Sequence, residues 1–373
     1  MHESGPDAMT VTWVSLDPYT PESSGSVSWG RVGGPTRNAP CLSIHSYTAG
    51  PFGWNGTIFW AVMNALEVGA RHTYTVTSNG ASSQPRQFTA APAPNASAAV
   101  KLGVLADMGT IELAGWTVAA EVIREHAAAP FDLLFIAGDL AYATVDPPKN
   151  ELQHLWDLWG LQNENFSSTA PWMMTVGNHE STPGSLINSS GTFSQEFAAF
   201  STRWRMPGYG GSSQGYGNFY YSYAYGPAAW VSMNTEFPYA EGSEQWQWIE
   251  AALAAVDRTL YPWLFLSLHR PIYSVDNDEV PSHIPGGALS VALEPLLKKY
   301  RVDVVWQGHE HTAERTAAVF NGSVLGLPDA SGVYSAPPAP IYIVQGTSGA
   351  DLDIDHWISP IPAWNLVRQS CAF

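Results

Sequence analysis

Residues 9–15, Met-Thr-Val-Thr-Trp-Val-Ser, alternate apolar and polar positions at period two. So do residues 26–32 and 71–77. Such alternation predicts half-buried strands. Clusters of Gly, Pro, Asn and Ser between them supply the turns. Residues 1–93 are therefore expected to form a small all-β sandwich. The stretch 90–97, Ala-Ala-Pro-Ala-Pro-Asn-Ala-Ser, is small and interrupted by proline, so a linker is expected there, bounded at 94–99.

The pattern then changes. Apolar runs at 101–106, 132–137 and 171–176 predict buried strands, and the helical spacing at 116–129 and 149–161 predicts helices between them. Val118, Val122 and Ile123 share one face of the first helix. A Tyr-rich strand pair is expected near 218–234, a helix over 244–256, a strand at 261–268, a helix over 289–300 and a strand at 302–307. Residues 315–320 and 341–345 also read as extended. This alternation predicts an α/β domain over 100–373, with sheet flanked by helices. There is no internal repeat.

Composition narrows the class. With 45% hydrophobic residues a sizeable core can form, while charged residues are 13%, about half the usual share. A net charge of −17 argues against nucleic acid and anionic membrane as partners of the whole surface. It does not exclude an anionic substrate, because a bound metal reverses the sign locally. No apolar run reaches membrane-spanning length. The two cysteines, Cys41 and Cys371, show no zinc-ligand spacing. Five Asn-x-Ser/Thr sequons, at Asn55, Asn95, Asn165, Asn188 and Asn321, point to a secreted glycoprotein. No signal peptide is legible, so the leader is expected to lie outside this sequence.

The strand ends carry the chemistry. In an open α/β sheet, ligands bind beyond the carboxyl ends of the strands. Five expected strands end in Asp107-Met108-Gly109, in Gly138-Asp139-Leu140-Ala141-Tyr142, in Gly177-Asn178-His179-Glu180, in His269 and in Gly308-His309-Glu310-His311. Each has a bland reading alone. Asp107 can cap the following helix, Asp139 can close a turn, Tyr142 can be core, and His309 with His311 can be an edge pair. Five such ends in succession are better explained by convergence on one rim. Carboxylate, amide oxygen, phenolate and imidazole are all ligands for hard or borderline metal ions. Gly109, Gly138, Gly177 and Gly308 relieve crowding beside them.

These blocks, Asp-x-Gly, Gly-Asp-x-x-Tyr, Gly-Asn-His-Glu, x-x-x-His and Gly-His-x-His, resemble the five motifs of the purple acid phosphatases within the calcineurin-like metallophosphoesterases. Residues 9–14, "MTVTWV", and the sandwich resemble the fibronectin-like domain of the plant-type members. The resemblance implies Fe(III) held by Asp107, Asp139, Tyr142 and His311. It implies a divalent ion (Zn, Mn or Fe(II)) held by Asp139, Asn178, His269 and His309, with Asp139 bridging. His179 would be catalytic and touch the substrate phosphate without ligating. The implied activity is hydrolysis of phosphomonoesters by in-line attack of a metal-bound hydroxide on small phosphorylated substrates. A secreted, extracellular, vacuolar or lysosomal location is implied too. The oligomeric state stays open, a homodimer among the options. Leu266-Ser267-Leu268-His269 stands where the family has Val-x-x-His. Asp276-Asn277-Asp278-Glu279 stands where plant-type enzymes carry substrate-binding histidines, leaving His283 and Glu279 as candidate substrate contacts. Family members usually continue beyond "SCAF", so a C-terminal truncation is expected. Two other readings stay open: a phosphodiesterase or nucleotide pyrophosphatase on the same centre, and a non-catalytic surface binding protein.

Overall fold

The computed structural model describes residues 5–47, 54–94, 97, 99–110, 114–145, 150–181, 197–209, 215–278, 282–354 and 356–370. Asn95, Asn188, Glu279 and Cys371 lie outside the described residues.

Two antiparallel sheets build the N-terminal part. One orders Met9–Ser15, Thr57–Met63 and Ser43–His45. The other orders Arg37–Pro40, Gly25–Arg31, Arg71–Ser78 and Ala81–Ser82, with Arg86–Thr89 also on Arg71–Ser78. Alternation works as the sequence predicts. Val27 and Trp29 are buried while Ser26 and Ser28, which alternate with them, are only half-buried. Trp29 satisfies its indole N–H on the Asn64 carbonyl at 3.0 Å, as a buried donor must. Ala90 and Ala91 fall in the stretch read as linker, yet both are buried. Their small side chains let the chain run close to Gly69 and Ala70, with which they exchange backbone hydrogen bonds.

The second part stacks two sheets. A three-stranded parallel sheet orders Trp172–Thr175, Leu133–Ala137 and Leu102–Leu105. An eight-stranded mixed sheet orders Gly215–Tyr216, Tyr220–Tyr225, Ala228–Ser232, Trp263–Ser267, Val304–Gln307, Ile341–Gln345, Ala313–Thr316 and Asn365–Gln369. The five expected strand ends therefore belong to two sheets, not one. The sheets face each other: Tyr221 donates to the Met174 carbonyl at 2.5 Å, and the Thr175 and Ser232 hydroxyls meet at 2.9 Å. Leu133–Ala137 is buried at every position, which is why it reads as a continuous apolar run rather than an alternating one.

Helices Gly115–Ala128 and Gln153–Ser167 pack with the small sheet in one apolar core. Helices Glu244–Ala254 and Ala288–Lys299 bury Ile249, Leu253, Leu293 and Leu297 with Val231, Leu264 and Leu266 of the large sheet in a second. The helix expected at 149–161 starts at Gln153 and runs to Ser167, because Leu155, Trp156, Trp159, Gln162, Asn163 and Phe166 continue the buried stripe. Polar Gln162 and Asn163 hide that stripe in the sequence. The extended stretch expected at 315–320 breaks at Ala317 into Ala313–Thr316 and Ala318–Phe320. Among the described residues no helix is long and apolar enough to cross a membrane.

Candidate metal centre

All five strand ends point into one region between the two sheets, and the backbone there is unusual. Asp107, Asp139, Tyr142 and His309 have φ of 57°, 50°, 47° and 75°. Left-handed backbone at non-glycine residues stores strain and clusters at functional sites. The turns are also crowded. A Cβ on Gly177 would lie 2.1 Å from Asp139 Oδ1. Only glycine leaves that carboxylate its place.

The seven expected ligand positions form two touching groups. In the first, the Tyr142 hydroxyl lies 2.7 Å from His311 Nε2 and 3.3 Å from Asp107 Oδ1. In the second, His269 Nε2 lies 3.0 Å from Asn178 Oδ1 and 3.2 Å from Asp139 Oδ2. Asp139, His269 and His309 offer ligand atoms all within 4.8 Å of one another. Asp107 and Asp139 are buried at 0% and 1% exposure.

Hydrogen bonds to the outside of the set orient the imidazoles. His269 Nδ1 donates to the Ala137 carbonyl at 2.8 Å, and His311 Nδ1 donates to the Asp351 carbonyl. A carbonyl can only accept, so Nδ1 carries the proton in both rings. His311 Nε2 can then accept from the Tyr142 hydroxyl, but the His269 Nε2 lone pair faces oxygen lone pairs of Asn178 and Asp139. Acceptors converging on acceptors require a cation between them, a proton or a metal. The donor set of two carboxylates, one amide oxygen, one phenol and three imidazoles fits a pair of hard or borderline metal ions.

The electrostatics agree with that need. Burial pushes the Asp107 carboxyl up to about 7, against the pull of His269 and His311. Burial would raise Asp139 too, but the facing His269 and His179 imidazoles outweigh it and hold it well below the usual range. Burial disfavours charge on His269, yet the Asp139 carboxylate raises it to about 10. Burial and the charges of Asp107 and Asp139 hold the Tyr142 phenol well above its ordinary value. A bound cation inverts this logic and favours carboxylate, phenolate and neutral imidazole together.

His179 does not join the ligand atoms. Its backbone N–H donates to Asp139 Oδ1 at 2.9 Å, while its Nε2 stands 3.9 Å from Asp139 Oδ2. Its ring lies over Tyr142 with centroids 4.2 Å apart, and a third of its side chain reaches solvent. His283 is placed differently from expectation. It is 2% exposed and its Nδ1 sits 2.5 Å from Glu310 Oε1. Direct contact with a phosphate does not fit that burial. Glu279 lies outside the described residues.

Two positioning groups escaped the sequence reading. Glu180 Oε2 accepts the N–H groups of Asp139 and Gly177 at 2.8 and 2.9 Å, and Oε1 accepts that of Leu140 at 2.8 Å. It ties two strand ends together. Arg270 lies 3.0 Å from His309 Nε2 and pairs with Glu236 at 2.8 Å. Its signal in the sequence is a cation directly after His269.

Residues 100–313 match the calcineurin-like phosphoesterase family, and the chain belongs to that family. The chain is 30% identical over 318 residues to Probable purple acid phosphatase 20 of Arabidopsis thaliana, covering 85% of this chain and 68% of that protein. It is 34% identical over 252 residues to Purple acid phosphatase 21 of the same plant, covering 67% of this chain and 50% of that protein. Within the phosphoesterases the chain thus stands among the purple acid phosphatases, a fold that implies a binuclear metal centre. Relatives whose names mark them as inactive also match. The solved purple acid phosphatase from yellow lupin seeds superimposes with a TM-score of 0.82 at 24% identity, over 98% of this chain and 66% of that one. That likeness supports the fold.

Proposed function

We propose that the chain is an acid phosphatase that hydrolyses phosphomonoesters at a binuclear centre. Fe(III) would be held by Asp107, Asp139, Tyr142 and His311. A divalent ion (Zn, Mn or Fe(II)) would be held by Asp139, Asn178, His269 and His309, with Asp139 shared. The observation that carries this reading is the convergence of tautomer-fixed His269 Nε2 on Asn178 and Asp139 oxygens. When bound, such a pair of cations polarises the phosphate and acidifies water, so hydrolysis can run in acid.

The chain's own residues supply the rest. His179, a third exposed and propped on Tyr142, can donate a proton to a phosphate or leaving-group oxygen. Arg270, steered by Glu236, adds a fixed positive charge at the His309 side of the site. Glu180 holds the strand ends so that Asp139 does not shift between turnovers. The described sequons Asn55, Asn165 and Asn321 are all exposed, which supports glycosylation in a secreted or vacuolar setting.

A second reading, phosphodiester or nucleotide pyrophosphate hydrolysis, draws on the acidic Asp276–Asp278 stretch and on the burial of His283. The test is a comparison of p-nitrophenyl phosphate with bis-p-nitrophenyl phosphate at acidic pH, using metal-loaded protein. Faster monoester turnover supports the proposal, and faster diester turnover supports the alternative. Turnover of neither, with metals bound, would place the chain with the inactive relatives and favour the binding-protein reading.

A further inference from the structure

Two loops beside the metal centre are stitched together. The Ile358 N–H donates to the Val275 carbonyl at 2.9 Å, and the Asn277 N–H donates to the His356 carbonyl at 2.8 Å. Asp276 and Trp357 pair across an isolated antiparallel bridge. This brings the loop after Trp263–Ser267 and the loop after Ile341–Gln345 onto the turn that carries Glu310. Carboxylate oxygens of Asp276, Glu310 and Asp353 then lie within 4.8 Å of one another. Asp276 and Glu310 are only 1% and 3% exposed.

Partners account for part of this acidic group. Glu310 Oε1 meets His283 Nδ1 at 2.5 Å. Asp353 Oδ2 accepts the His311 N–H at 2.7 Å. Asp276 Oδ1 accepts the Asp278 N–H at 3.0 Å, while His356 is closer to Asp278, at 2.6 Å, than to Asp276, at 3.7 Å. Among the described residues, Asp276 Oδ2 is buried without a hydrogen-bond partner. A buried carboxylate oxygen without donor or cation is strongly unfavourable. Burial raises the Asp276 carboxyl to about 6, and the charges of Glu310, Asp353 and Asp278 add to that.

We propose that Asp276, Glu310 and Asp353 form a third cation site, beside the binuclear centre, that takes a hard divalent ion of the calcium class. All three donors are carboxylate oxygens from loops, the ligand type that calcium accepts. The site has a structural consequence. Asp353 holds the His311 backbone and the Asp351 carbonyl holds the His311 ring. An ion on Asp353 braces the loop that orients that histidine.

The test uses the full chain with its two-metal centre loaded in buffer freed of calcium beforehand. Calcium is then titrated by calorimetry and by thermal melting. The proposal expects about one calcium per chain beyond the two metals and a melting temperature that rises with calcium. Asp276→Asn should lose about tenfold or more in calcium affinity while keeping the two metals. In calcium-free buffer it should melt no lower than wild type, since it removes a buried unpaired charge. Retention of full calcium affinity in Asp276→Asn would overturn the assignment. So would a loaded wild type that binds no calcium; because its two metals are counted in the same sample, that result leaves the binuclear reading standing.

Discussion

At Asp107, Asp139, Tyr142 and His309 the chain accepts left-handed backbone, at roughly 1–3 kcal/mol each. What that strain secures is direction: each side chain leaves its strand end toward the same few ångströms. His179, next to a candidate ligand but outside the ligand shell, is the residue to separate chemistry from metal binding. His179→Ala should keep both metals and slow turnover by roughly 10²-fold or more, read by metal analysis and kcat on one preparation. Asp276 gives a pH prediction. Its folded-state value of about 6 lies above the ordinary 3.8, so its contribution to stability is full below about 3.8 and is lost as pH rises through about 6. The groups facing it are Glu310, Asp353, Asp278 and His356. In calcium-free buffer the melting temperature of wild type, measured against Asp276→Asn, should therefore fall between those pH values. A constant difference across that range would contradict the shift.

At the scale of elements, most of the site was legible because strands end where the apolar run ends. Leu133–Ala137 stops at Gly138 and Asp139, and Trp172–Thr175 stops just before Gly177 and Asn178. The division of these strands between two sheets was not legible, since a buried parallel strand looks the same in either. Contacts that depend on tertiary approach were hidden for the same reason. Glu180 closes the Gly177–Glu180 block with no role legible in the sequence, yet it is 1% exposed and accepts three backbone N–H groups. His283 reads as an available imidazole, and its pairing with Glu310 comes only from the meeting of two distant loops. The glycines can be tested as spacers. Gly177→Ala places a methyl 2.1 Å from Asp139 Oδ1, so backbone or carboxylate must shift. The expected result is a loss of about 1–3 kcal/mol in stability together with weakened metal retention. Unchanged metal content after dialysis would show that the turn can relax.

Across the whole molecule, the sandwich is joined to the metal-binding part by polar anchors under an apolar seam. Arg203, with 4% of its side chain exposed, pairs with Asp157 at 2.8 Å, donates from Nε to the Tyr47 hydroxyl at 2.8 Å and lies 4.6 Å over the Trp54 ring. Tyr74 and Arg86 add bonds to Ser168 and Glu164 at the end of helix Gln153–Ser167. Removing one partner of such a buried pair strands the other. Arg203→Ala should lower unfolding stability by about 3 kcal/mol, read as a shift in the urea midpoint. A change below about 0.5 kcal/mol, the size of a surface effect, would mean that the seam carries little of the stability. The binuclear centre is tested by a visible absorption spectrum and metal analysis on the same sample, for wild type and for Tyr142→Phe. The expected result is about two metals per chain and a broad phenolate-to-iron band that Tyr142→Phe abolishes. A band that survives in Tyr142→Phe, or a folded wild type without metal, would contradict it.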